Sequence, residues 1–190
     1  MTKDERRLVS PWNIANVLTV LRLALVPFFF VSLFLPGPTW RWVALGVFAV
    51  GSFTDYLDGE LARRYGLITD FGKIADPIAD KALTGAALVG LSILQELPWW
   101  VTVVILGREL GVTFLRFWVI RHGVIPASYG GKVKTVLQMA AIVLYIVPGV
   151  PDVVRWTVMG AAVVVTVATG VDYVWRAVKL RQVARKARGE

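Results

Sequence analysis

Six apolar runs, each close to the roughly 20 residues that a helix needs to cross a bilayer, constrain this chain more than any other feature. They cover about 14–35, 41–62, 77–95, 99–120, 134–149 and 154–175. In hydrocarbon, backbone N–H and C=O groups must find their partners within the protein, so runs of this length are expected to be helices. The expected fold is therefore all-α: a single integral membrane domain over 1–190 with six transmembrane helices. A hydrophobic share of 56% and a mean hydropathy of +0.63 exceed what a soluble domain carries. The first run is too long for a cleaved signal peptide, and later runs repeat it, so it reads as a span.

Charge orients the spans. The expected connections at 36–38, 96–98 and 148–152 carry almost no basic residues; Arg41 and Arg155 stand beside them. The tail 1–13, the connections at 63–76 and 121–134, and the tail 176–190 carry Lys3, Arg6, Arg7, Arg63, Arg64, Lys73, Arg121, Lys132, Lys134 and a basic run from Arg176 to Arg188. Positive residues collect on the cytoplasmic side, so both termini are expected there. Trp40, Trp42, Trp99, Trp100 and Trp156 mark the opposite interface. The net charge of +8 is thereby accounted for, with the basic C-terminal tail expected on anionic headgroups and no nucleic-acid partner. With no cysteine and one histidine, His122, disulfides, thiolate metal sites and multi-histidine sites are excluded.

Against this apolar background stands the stretch from Asp55 to Asp80. It places Asp55, Asp58, Gly59, Ala62 and Arg63 at the end of the second run, and Gly72, Asp76 and Asp80 at the start of the third. Asp55 and Asp58 are three apart and Asp76 and Asp80 four apart, so each pair shares a helix face. Four carboxylates at the rim of a membrane repel one another, and hard divalent cations such as Mg²⁺ resolve that repulsion through oxygen ligands. Gly59 leaves room for a ligand near the backbone, and Arg63 offers a planar fork for phosphate. Pro77 disfavours helix at Asp76, so the third helix is expected to start or bend there. By the charge rule the cluster, and with it the active site, faces the cytoplasm.

The spacing D-x2-D-G-x2-A-R-x8-G-x3-D-x3-D resembles the signature of the CDP-alcohol phosphatidyltransferase family at all eight fixed positions. The resemblance extends over nearly the whole chain. It implies two divalent ions, Mg²⁺ or Mn²⁺, held by Asp55, Asp58, Asp76 and Asp80, with Asp80 also the catalytic base. It implies a CDP-linked donor held by Asp58, Gly59, Ala62, Arg63 and Gly72, release of CMP, and a homodimer in a membrane, here the bacterial plasma membrane.

Other polar residues fill in the picture. Asn13, Asn16, Thr19 and Arg22 recur every three residues along the first run; Asn16 and Thr19 either bond between helices or line the donor site. Arg22, deeper, is expected to pair with an acid. Arg108, Glu109 and Arg116 lie in the fourth run, and Gly130-Gly131-Lys132-Val133-Lys134-Thr135 leads into the fifth. A glycine-rich approach to a helix N-terminus suits a phosphate, so Arg116 and Lys134, with Arg108 and Lys132, are the candidate acceptor-phosphate ligands. Asp172 and Tyr173 are expected to partner a nearby base.

Within the family, Asp76-Pro77-Ile78-Ala79-Asp80-Lys81, Arg108-Glu109 with Arg116, and Gly131-Lys132-x-Lys134-Thr135-x2-Gln138 resemble the branch that joins CDP-diacylglycerol to sn-glycerol 3-phosphate. Cardiolipin synthesis from phosphatidylglycerol and phosphatidylinositol phosphate synthesis remain alternatives with the same chemistry. Membrane prenyltransferases also pair aspartates with Mg²⁺, but give no reason for Gly59, Ala62-Arg63 and Gly72. A metal or solute transporter should carry its acids near mid-membrane and often repeats its halves.

Overall fold

The computed structural model describes the backbone of residues 14–65, 70–119 and 129–187, and side chains within 17–54, 78–79, 81–115 and 130–180. Six helices account for almost all of it: α1 (Ile14–Phe34), α2 (Pro38–Tyr65), α3 (Asp70–Ile93), α4 (Trp99–Val119), α5 (Tyr129–Ile146) and α6 (Asp152–Ala187). The chain divides into two compact units, Met1–Gly90 and Leu91–Glu190.

In the first unit α1 and α2 pack along their length. Phe29 and Phe48, both buried, set their rings 5.7 Å apart at a tilt. Two glycines bring α3 in. A Cβ at Gly90 would stand 2.6 Å from Leu33 Cδ2, and a Cβ at Gly51 would stand 2.6 Å from Leu83 Cδ2. The missing side chains let α3 approach α1 and α2 closely, and Ala79, Leu83, Ala87 and Leu88 form its buried side.

In the second unit α6 packs against both α4 and α5. Val101, Ile105, Ile142, Tyr145, Ile146, Met159 and Ala162 form the apolar core. The turn from α3 to α4 is closed by a 2.7 Å hydrogen bond between the Ser92 and Thr102 hydroxyls, while Gln95 takes a left-handed φ of 60°.

The outward faces are apolar. Phe114, Val136 and Val164 are 71%, 69% and 67% exposed, which a water-facing surface would not sustain over so many residues. The five tryptophans expected at the outer interface are exposed as well. Among the described residues two helical segments, Val17–Phe34 and Asp152–Leu180, are long and apolar enough to cross a membrane by length and composition.

Helix ends depart from the sequence reading in four places. Pro38 opens α2 three residues early, because its missing N–H is one a helix start leaves unpaired anyway. Helix α3 begins at Asp70 rather than at Pro77, and is helical through the proline. An acidic first residue suits a helix N-terminus, and membrane helices tolerate an internal proline when neighbours take up the freed backbone groups. The expected connection 63–76 is thus helical over 63–65 and 70–76. Gly130, Gly131 and Lys132 belong to the first turn of α5 rather than to a loop, with the Thr135 hydroxyl donating to the Gly131 carbonyl at 3.1 Å. Finally, the basic tail from Arg176 continues α6 to Ala187. Its Leu, Arg, Lys, Gln and Ala are strong helix formers, so the helix outlasts the apolar pattern.

Candidate active site

The register of α2 against α3 decides where the aspartates stand. Gly51 lies fourteen residues before the end of α2, and Leu83 thirteen after the start of α3. Their contact sets these two positions against each other at similar distances from the facing helix ends. Asp55 and Asp58 follow Gly51 by four and seven residues, which keeps them within about 40° of its azimuth. Asp80 and Asp76 precede Leu83 by three and seven, within about 60°. On ideal helices the positions of all four aspartates would lie near the azimuths of Gly51 and Leu83. At 1.5 Å per residue of ideal helix, positions 55 and 80 would lie about 4.5–6 Å along their helices from the contact, and positions 58 and 76 about 10 Å. Ala62 falls on the same stripe of α2, one turn further. The side chains of Asp55, Asp58, Gly59, Ala62, Arg63, Gly72, Asp76 and Asp80 lie outside the described residues.

Neighbouring α1 contributes two buried polar groups. Thr19 is fully buried and Arg22 is 1% exposed. Asn13 and Asn16 lie outside the described side chains, as do Arg116 on α4 and His122.

The expected acceptor ligands separate sharply in the second unit. Lys134 is buried, and its ammonium is held by the Glu109 carboxylate. Arg108 donates to the same Glu109 oxygen at 3.2 Å through Nη1 and to the Thr169 hydroxyl at 3.2 Å through Nη2. Two of the four candidate cations therefore share one carboxylate across α4, α5 and α6. Gly170 makes room for this: a Cβ there would come 3.0 Å from Arg108 Cγ. Lys132, by contrast, is exposed. Asp172 pairs with Arg176 at 2.9 Å, one helical turn on, as expected of a structural partner.

Sequence reasoning missed the bridge from Glu109 to Lys134. The residues are 25 apart and only packing joins them. A signal for the rest existed: Lys134 and Gln138 are four apart, Thr166 and Thr169 three apart, and each pair marks a polar stripe on an otherwise apolar helix. Gly51 was also legible, standing four residues before Asp55 and seven before Asp58.

Comparison with known proteins identifies the family. The family model for CDP-alcohol phosphatidyltransferase matches residues 12–168. A probable phosphatidylglycerophosphate synthase of Mycobacterium tuberculosis (strain ATCC 25618 / H37Rv) is 56% identical over 172 residues, covering 88% of this chain and 82% of the relative. A CDP-diacylglycerol--glycerol-3-phosphate 3-phosphatidyltransferase of Bacillus subtilis (strain 168) is 34% identical over 194 residues, covering 88% and 98%. A protein of the same name from Escherichia coli (strain K12) is 40% identical over 137 residues, covering 69% and 75%. With its all-helical build and apolar outer faces, this is a membrane protein, and the chain belongs to the CDP-alcohol phosphatidyltransferase family.

Proposed function

We propose that this chain transfers a phosphatidyl group from CDP-diacylglycerol to sn-glycerol 3-phosphate, giving phosphatidylglycerophosphate and CMP. All six helices span the membrane, both termini lie in the cytoplasm, and the aspartate-bearing ends of α2 and α3 face it. The observation that supports the reading is the Gly51–Leu83 contact, from which ideal helix geometry would carry the four carboxylate positions along facing stripes. The relatives that share most of the chain's length bear the name of this reaction.

Four oxygen-donor positions in two facing pairs suit two hard divalent ions, Mg²⁺ or Mn²⁺, and no soft ligand competes for the site. Asp55, Asp58, Asp76 and Asp80 would hold them. When bound, such ions neutralise phosphate oxygens and the charge developing on departing CMP. Asp80 accepts the proton of the acceptor hydroxyl. The freed oxygen forms a bond to the β-phosphorus while the bond from that phosphorus to the bridging oxygen breaks, and the electron pair leaves with CMP. Gly59 and Ala62 keep the α2 stripe low for the nucleotide. Arg63 meets its phosphates, and Asn16, Thr19 and Gly72 complete the donor side. Arg116, Lys134 and Arg108 provide positive charge for the acceptor's phosphate, because charge-assisted hydrogen bonds are the strong ones; Lys132, also expected there, is exposed and adds only a screened charge.

The test is CMP release by purified protein given CDP-diacylglycerol with glycerol 3-phosphate, inositol phosphate or phosphatidylglycerol. Release with glycerol 3-phosphate alone is expected. Release with phosphatidylglycerol alone would move the acceptor and keep the chemistry, and metal uptake into vesicles without CMP release would overturn both.

A further inference from the structure

Arg108 and Glu109 sit at the midpoint of α4, where a charged group in a membrane helix is costly and calls for a functional account. The local partners are unusual in number. Glu109 holds the Lys134 ammonium from α5 and the Arg108 guanidinium beside it, while Thr169 of α6 accepts a second bond from Arg108. Among these three charged side chains the sum is one positive charge.

A closed structural ion pair would saturate its surroundings, since buried polar atoms normally find partners. This one does not. Arg108 Nε, Gln138 Oε1 and Thr166 Oγ1 are buried with no hydrogen-bond partner among the described residues. Gln138 is 4% exposed and lies one turn from Lys134; Thr166 is fully buried and lies one turn from Thr169. The polar core of this unit retains hydrogen-bonding capacity, as a place that receives a polar group does.

We propose that Glu109 is a positioning residue: its carboxylate holds Lys134 and Arg108 as one cationic clamp for the phosphate of the acceptor. The assignment rests on the functional reading above, in which the acceptor is a small phosphorylated alcohol. Lysine is a point charge on a flexible stem. Without the carboxylate, Lys134 and Arg108 repel each other across a medium that screens poorly, and the ammonium has no reason to stay where a phosphate would meet it. A neutral glutamine keeps the volume of Glu109 and removes only the charge that gathers the two cations.

The experiment measures CMP release by the full-length protein in lipid, varying each substrate in turn. Glu109→Gln is expected to raise the KM for glycerol 3-phosphate about tenfold, a loss of about 1.4 kcal/mol of acceptor binding, and to leave that for CDP-diacylglycerol within about twofold. Glu109→Asp should recover most of the loss. Thr169→Val, nearly isosteric, removes only the hydroxyl that accepts from Arg108 and should raise the acceptor KM about threefold. An unchanged or lowered acceptor KM in Glu109→Gln, or equal damage to both substrates, overturns the assignment. If Glu109→Gln does not fold, an unchanged acceptor KM in Thr169→Val overturns it. A wild-type protein that uses a different acceptor overturns the functional reading instead, and the same KM split on that acceptor then decides the role of Glu109.

Discussion

The two units carry charge in opposite ways. In the first, as proposed, α2 and α3 bring four aspartates of one sign together, starting from the contact between Gly51 and Leu83. In the second, Glu109 sits between Arg108 and Lys134, so attraction is satisfied largely within the protein. A cluster of one sign needs an outside counter-charge, and divalent ions are the counter-charge that carboxylates prefer. A cluster of mixed sign needs none and is left with a small net charge that one anionic group can meet. The difference predicts that perturbing the first unit stops the chemistry, while perturbing the second changes which substrate is held and how tightly.

The largest effect should come from the hairpin. Asp55→Asn or Asp76→Asn should lower CMP release by about 10³-fold or more while the protein still inserts and folds, since a ligand lost from a two-ion site removes most of its electrostatic stabilisation. Circular dichroism of the variants separates lost chemistry from lost fold. Full activity in excess chelator would erase the contrast between the units.

Asp80→Asn should lower the single-turnover rate by about 10²-fold or more, in the range of general-base losses, with donor affinity little changed. A collapse of donor affinity with normal single-turnover chemistry would make Asp80 a ligand and no base.

In the second unit Arg116→Ala should raise the KM for glycerol 3-phosphate by about tenfold to a hundredfold, with that for CDP-diacylglycerol nearly unchanged, because a lost charge-assisted contact acts on the substrate that makes it. Lys134→Ala should act in the same direction and more weakly. Lys132 is exposed, so Lys132→Ala should change either KM by no more than about twofold. Equal damage to both substrates in Arg116→Ala would mean that the second unit is structural.

A smaller effect than loss of Asp55, Asp76 or Asp80 tests the register itself. Gly51→Ala places a methyl 2.6 Å from Leu83 Cδ2, and the leucine has to change rotamer or shift, an overpacking cost of about 1 kcal/mol. Activity should fall about fivefold, and adding Leu83→Ala should restore it. Loss in the single variant without rescue in the double would detach the aspartates from this contact.

Much of this was legible in the order of residues. Length and apolarity fixed six helices, because a backbone in hydrocarbon has few other ways to satisfy its polar groups. The spacing of Asp55, Asp58, Asp76 and Asp80 gave the expectation that each pair shares a helix face. The ends of helices were less legible. Hydropathy reports where side chains leave lipid, whereas a helix persists while its residues favour it, as from Arg176 to Ala187. Pro77 misled for a related reason: its local penalty was weighed without the helix continuing on both sides.

By itself, then, the sequence determined the helical class, the family signature and the periodicity of its acids, all of which depend on neighbours within a turn or two. Tertiary structure decided the pairing of residues far apart. Gly51 meets Leu83 across α2 and α3, and Glu109 claims Lys134 from 25 residues away. Such contacts depend on how closely two helices approach and with what rotation, and helix packing settles both over whole faces. A glycine or a carboxylate shows its role only when the opposing face is known.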